Sequence, residues 1–187
     1  MAKANVREHL ASLCRTHPCM IVTTLHSNGT PNAGTFGAYT AVGPEEIGVA
    51  VTTTSHTYAN IKRSGEFAIN IPNVAYVDTL QYCASKIAPG HSELEHAGLS
   101  ASVAEQIKPP LIIECVVNIE CRLWKEFEIG TCNYFVAKML CGKIEESCRD
   151  EDGGLDPVKA RTVTDVRYPE PLYATFGQVV RAREPQN

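Results

Sequence analysis

Apolar and β-branched positions in this chain mostly repeat at a period of two, and only short stretches repeat at helical spacing. The first such stretch covers residues 3–15, where Val6, Leu10, Leu13 and Cys14 share one face and Pro18 marks the end. Cys19–Leu25 is β-rich. Asn28-Gly29 follows, and Asn-Gly between β-prone runs predicts a tight hairpin whose two central residues both take positive φ. The chain returns through Asn32–Val42, where Gly34 and Gly37 mark either a barrel corner or the close approach of a ligand. Ile47–Thr53 alternates as a strand. Tyr58–Ser64 is compatible with a helix, with Ser55 or Thr57 as its cap and Gly65 as its stop. Phe67, Ile69 and Ile71 make Glu66–Ile71 a strand, closed by Pro72.

Residues 74–84 predict a helix through Val77, Leu80 and Cys83. Ser92-Glu93-Leu94-Glu95 is a capping-box pattern before a short helix ended by Gly98, and Ser102–Glu105 repeats that pattern. Ile112–Trp124 reads as the clearest strand, with Ile113, Cys115, Val117, Ile119, Cys121 and Leu123 on one face and Glu114, Asn118, Glu120 and Arg122 on the other. Residues 125–130 then connect it to a second long strand, Cys132–Glu145, its antiparallel partner. Arg149–Gly154 is a solvated loop, and Val163–Phe176 an extended closing arm. Six or seven strands with short connections and short helices predict a mainly β fold, an antiparallel barrel rather than a doubly wound sheet. At 187 residues the chain is expected to form a single domain, 1–187.

Composition narrows the function. The net charge is −4 and no basic stripe appears, so nucleic-acid binding lacks its electrostatic footprint. No apolar run approaches the length of a membrane span. Met1–Asn5 leads straight into the amphipathic pattern, so the expectation is no secretory leader and a cytoplasmic protein. Eight cysteines contain no Cys-x-x-Cys pair, and they read as buried small hydrophobes in a reducing compartment. His91 and His96 are five apart and read as surface residues, while His17 with Cys19 lacks a matching second pair. No metal site is therefore expected.

Two stretches carry candidate chemistry. Asn32-Ala33-Gly34-Thr35-Phe36-Gly37 offers backbone N–H groups beside small side chains. Ser55-His56-Thr57 offers hydroxyls and free N–H groups at a helix N-terminus, where the dipole favours an anion. Together they suit a planar ring carrying a phosphate tail. No Gly-x-Gly-x-x-Gly occurs, so a dinucleotide fold is not supported. Cys83 could stand beside the ligand or be buried structure, and Tyr173 and Phe176 could cover the ligand or pack in the core.

The order of Pro18–Thr24, Asn28–Thr35, Thr57–Pro72, Pro89–Leu99 and Pro109–Cys115 resembles the flavin reductase-like family of FMN-binding split barrels, flavoredoxins included. The resemblance runs from Pro18 through Cys115, with a looser match at Tyr173–Gly177. It implies a homodimer of antiparallel six-stranded split β-barrels with short peripheral helices and FMN near the subunit interface. Carried over by position, Asn32, Ala33, Gly34, Thr35, Phe36 and Gly37 would line the ring and ribityl chain. Ser55, His56 and Thr57 would surround the phosphate, Asn60 would support that loop, and Lys86 would reach the phosphate. Some relatives carry a lysine near the position of Glu93. The implied activity passes electrons from NADH or NADPH through FMN to free flavin, ferric iron or a protein acceptor, with no side chain required as acid or base. Two alternatives stay open: an electron-transfer flavoprotein of flavoredoxin type with a redox protein partner, and a non-catalytic flavin-binding module.

Overall fold

The computed structural model describes residues 18–85, 87–88, 90–166 and 170–180. The helix expected over 3–15, Lys86, and residues 167–169 of the closing arm lie outside the described residues. In chain order the elements are β1 (Met20–Leu25), β2 (Pro31–Phe36), β3 (Tyr39–Ala41), β4 (Glu46–Thr52), α1 (His56–Ser64), β5 (Glu66–Ile71), α2 (Val77–Ala84), α3 (Glu93–His96), β6 (Ala101–Ser102), β7 (Leu111–Ile112), β8 (Val117–Ile129), β9 (Cys132–Ile144), β10 (Val163–Asp165) and β11 (Tyr173–Thr175).

Seven strands form one sheet in the order β2-β1-β5-β8-β9-β4-β3. Every neighbouring pair is antiparallel. The two edge strands, β2 and β3, are joined in sequence by Gly37 and Ala38 alone, so the sheet must curl until its edges meet at that corner. The core confirms the curl. Met20 and Val22 of β1 share one cluster with Val49 and Val51 of β4, four places away in the sheet, and with Phe67, Ile69 and Phe135. This is a split barrel, as expected; the short β3 adds a seventh strand to the six.

A second layer explains why β1 is apolar on both faces. Its alternate residue Ile21 packs outward, with Cys19 before the strand, against Leu80 and Cys83 of α2 and Leu94 of α3. β10 seals the same cluster through Val163, and the Cys19 N–H donates to the Val163 carbonyl at 2.7 Å. Helix α1 starts and stops where its sequence signals stand. Ser55 Oγ accepts from the Tyr58 N–H at 3.1 Å, and Gly65 ends the helix at φ 70°.

Three local expectations are corrected. The β1–β2 hairpin is closed by five residues: the His26 carbonyl accepts from the Gly29 N–H, and the His26 N–H donates to the Thr30 carbonyl. Only Gly29 has positive φ, so Asn28 instead spends its side chain on the Thr30 N–H at 3.0 Å. Strand β8 starts five residues later than its alternation suggests, because residues 113–116 turn, which leaves Ile113 62% exposed. It then runs on through 125–129, with irregular pairing at Glu120/Cys121 and Leu123/Lys125. The Ser102–Glu105 pattern caps no helix; the N–H groups of Glu105 and Gln106 bond the buried Glu120 carboxylate at 2.8 and 2.6 Å. Among the described residues no helix is long and apolar enough to cross a membrane.

Candidate functional site

A cavity of about 480 Å³ opens between β2, the start of α1, the end of α2 and α3. Asn32, Ala33, Gly34, Thr35, Phe36, Ser55, His56 and Thr57 all line it. Gly37 sits outside it, exposed on the barrel corner. Asn60 lies one layer behind, and Lys86 is outside the described residues, between the lining residues Ser85 and Ile87 in sequence.

The strand supplies the cavity with backbone donors because β2 is an edge. Only β1 pairs with it, and backbone groups of alternate residues face the open side. The Ala33 N–H turns that way and donates to Glu93 Oε2 at 3.2 Å. By the same alternation Thr35 turns its backbone N–H and carbonyl outward, toward the cavity that it lines. Its hydroxyl is occupied elsewhere, donating to the Leu80 carbonyl at 2.7 Å and so tying β2 to α2.

Behind the wall lies a buried polar network. Asn32 Nδ2 donates to Thr24 Oγ1 at 2.9 Å and to Thr57 Oγ1 at 3.1 Å, and Asn60 Nδ2 donates to Thr24 Oγ1 at 3.0 Å. All four residues are buried, so each amide fixes a hydroxyl that cannot relax into water. Gly34 makes this approach possible: a Cβ there would lie 2.9 Å from Thr57 Oγ1 and 2.9 Å from the Phe36 ring. Its small size serves the packing of β2 on α1.

The hydroxyls at the α1 N-terminus differ in what they can still do. Ser55 Oγ donates to the Thr52 carbonyl at 2.8 Å and accepts from the Tyr58 N–H, so it is spent as the cap. Thr57 Oγ1 accepts from Asn32 and keeps its own proton to donate. The first-turn N–H groups of His56 and Thr57 have no intrahelical acceptor.

Sequence reading named neither Thr24, His26 nor Glu93 as site residues. Glu93 is buried against the cavity wall, and its Oε1 stands 3.8 Å from His56 Nδ1. His26, from the hairpin turn, meets the His56 ring edge-on with centroids 5.3 Å apart. Burial holds the His26 imidazole below the ordinary histidine value, with Glu93 pulling the other way. Within the chain itself, the signal at Glu93 was its place in a capping box, where Glu95 holds the N–H that bonds Ser92 Oγ.

Cys83 lines the cavity but is buried, and that burial pushes its thiol up to about 12. It is a neutral thiol at physiological pH. All seven described cysteines are free, five of them buried.

Three comparisons bear on this geometry. An uncharacterized protein of Methanothermobacter thermautotrophicus is 29% identical over 184 residues, spanning 85% of each chain. Nitrilotriacetate monooxygenase component B from Bacillus cereus superposes with a TM-score of 0.85 at 20% identity, over 97% of this chain and 100% of that one. Flavoredoxin of Desulfovibrio vulgaris (Miyazaki F) gives 0.81 at 23% identity, over 95% of this chain and 97% of that one. At such identities the two structures speak for the fold alone. The Flavin reductase like domain itself matches residues 13–171, and with its split barrel in place this chain belongs to the flavin reductase-like family of FMN-binding oxidoreductases.

Proposed function

We propose that the chain holds FMN in the cavity between β2 and α1 and passes electrons from NADH or NADPH to free flavin, ferric iron or a protein acceptor. The observation that carries this reading is the convergence on one cavity of an unpaired strand edge and the N-terminus of a nine-residue helix. A flavin ring needs backbone donors and acceptors at its polar edge, and Thr35 offers both. A phosphate needs N–H donors and a favourable dipole, and the first turn of α1 offers those. The Thr57 hydroxyl adds a third donor, and Ser55 contributes by fixing the helix start. We assign Lys86 to the phosphate as its cation, on the resemblance and on its sequence position between two lining residues. The residues present therefore fit the cofactor.

Bound FMN supplies the hydride and electron chemistry. The protein's own contribution is placement: Asn32 and Asn60 hold Thr24 and Thr57 still, and the α2 end covers one side of the cavity with Cys83 as a closed thiol. A homodimer accords with the exposed apolar side chains of the long hairpin, where Trp124, Phe127 and Ile129 are each more than half exposed.

One observation favours the second reading, an electron carrier with a protein partner. No lysine or arginine occurs among the described residues lining the cavity, so none there is placed to select a nicotinamide phosphate. The anaerobic visible spectrum decides between the two. Flavin bands that bleach with NADH or NADPH support the reductase. Bands that persist with both and bleach with dithionite support the carrier. No bands after incubation with FMN and desalting would overturn a tightly held flavin. Thr57→Asp places a carboxylate against the phosphate and should abolish FMN retention while the barrel still melts cooperatively; unchanged flavin content would sink the phosphate assignment.

A further inference from the structure

His26, His56 and Glu93 come from three separate elements: the β1–β2 turn, the first residue of α1 and the first residue of α3. Each offers one ligand atom, and the three atoms lie within 4.8 Å of one another. His56 Nδ1 and Glu93 Oε1 already stand 3.8 Å apart. A second, independent observation concerns His26. The residue is 8% exposed, and its Nε2 is buried with no hydrogen-bond partner. A buried ring nitrogen without a partner carries an uncompensated loss of solvation. We propose that His26, His56 and Glu93 form a binding site for a divalent transition metal ion, with an open coordination position facing the cavity.

The donor set selects the class of ion. Two imidazole nitrogens and one carboxylate oxygen suit zinc, iron(II), cobalt or nickel rather than calcium or magnesium, which prefer all-oxygen shells. Three protein ligands leave at least one position free, and His56 and Glu93 both line the cavity, so water or an anionic group held there completes the shell. The supports of a metal site are also present. Glu93 Oε2 is held by the Ala33 N–H at 3.2 Å, which leaves Oε1 directed at His56. The backbone of His91 is a further polar neighbour of the His26 ring. Ligands of a tetrahedral ion with bonds of about 2.1 Å are about 3.4 Å apart, so the widest pair must close by roughly an ångström or more. His56 is the ligand with room to move, since its side chain is one-third exposed.

The site rests on these three side chains and not on the flavin reading, so its test is run on flavin-loaded and on flavin-free protein. The purified chain is stripped with EDTA, desalted at about pH 7.5, loaded with ZnCl2 and counted by mass spectrometry. The expected result is one zinc per chain in both preparations. Co2+ titration of the same protein should give the visible absorption of a low-coordinate nitrogen and oxygen site, with no intense thiolate band. His26→Gln and Glu93→Gln should each weaken zinc binding at least about 100-fold, the upper end of what loss of a mere outer-shell partner costs. The double variant His91→Ala, His96→Ala, which removes the nearby surface imidazoles, should keep the ion. No zinc above background in the unmodified chain overturns the proposal. So does binding that survives in both single variants, or binding lost only in the surface double variant. Should either single variant fail to fold by circular dichroism, X-ray absorption at the zinc edge of the unmodified chain decides: two imidazoles without sulfur support the site, and any other shell overturns it.

Discussion

Replacing Gly34 with alanine adds one methyl group at the point where β2 touches α1. That methyl would sit 2.9 Å from Thr57 Oγ1 and 2.9 Å from Phe36 Cε2, where ordinary contact begins near 3.4 Å. A shift of about 0.5 Å is therefore required, and the two neighbours differ in their freedom to make it. Phe36 is only half-buried, but Thr57 is 2% exposed and held by Asn32 at 3.1 Å. Overpacking of this kind costs about 1–3 kcal/mol. Alanine in a strand returns about 0.5–1 kcal/mol of the backbone entropy that glycine loses. The net expectation is about 0–2.5 kcal/mol of destabilisation, which lowers the melting temperature by up to roughly 10 °C in a domain of this size. Gly37→Ala is the internal control, because nothing lies within 4 Å of a Cβ there. It should be neutral or stabilising by up to about 1 kcal/mol. Calorimetry of the three proteins, with FMN titrated by fluorescence quenching, reads both effects; only Gly34→Ala should weaken FMN binding, by displacing Thr57. A Gly34→Ala protein that melts at or above the parent and binds FMN equally well would refute the tight contact and the role given to Thr57.

Ser55→Ala removes the cap that holds the Tyr58 N–H and should cost about 1 kcal/mol by urea denaturation. An unchanged midpoint would mean that the first turn finds another acceptor. Burial works to raise the Glu120 carboxyl, but the N–H groups of Glu105 and Gln106, with the Cys141 thiol and the Ile107 backbone, together outweigh it and hold the group below its usual 4.5. Its contribution is then complete above 4.5 and lost as pH falls through the lower folded-state value. Glu120→Gln should cost about 1.5–3 kcal/mol at neutral pH, and its melting curves should converge on the parent's as the solution is acidified; parallel curves would contradict this. Burial also pushes the Cys19 thiol to about 11 and the Cys83 thiol to about 12. Iodoacetamide at about pH 7.5 should leave both unlabelled in the folded chain and label both in urea; rapid labelling of Cys83 in the folded chain would show that the cavity wall opens.

The barrel was legible wherever one residue-level signal coincided with one structural event. Helix α1 shows this best, with Ser55 to start it and Gly65 to stop it. Strand β5 carries its alternation without interruption and runs where expected. Strand β8 was misplaced because its alternation crosses residues that turn and positions where the pairing slips. An alternating pattern reports local preference, and only the partner strand decides where pairing begins. Glu120 is the clearest case. It alternates with the apolar positions of its strand, yet it is 1% exposed and the neighbouring loop delivers two N–H groups to its carboxylate.

The site divides along the same line. Asn32–Phe36 and Ser55–Thr57 line one cavity, and each is a contiguous segment whose backbone and hydroxyl chemistry is visible in its own composition. What the residues do to one another could not be read, since it depends on contacts between distant segments. Asn60 looks like a loop support and in fact holds Thr24, which Asn32 also holds, so both amides bear on the position of one hydroxyl. Thr57 lines the cavity and is fixed in turn by Asn32, which leaves its hydroxyl proton free to donate. The sign of the local charge was hidden in the same way. A helix N-terminus favours an anion, and the fold sets the buried carboxylate of Glu93 beside it. A phosphate bound there would share that space with Glu93 and would call for a cation between the two. His56 and His26 are the groups that the fold brings to that position, one partly open to the cavity and one with an unpartnered nitrogen. On the proposed reading, an ion held by these two rings and Glu93 would offset the carboxylate and strengthen the hold of the cavity on a phosphate.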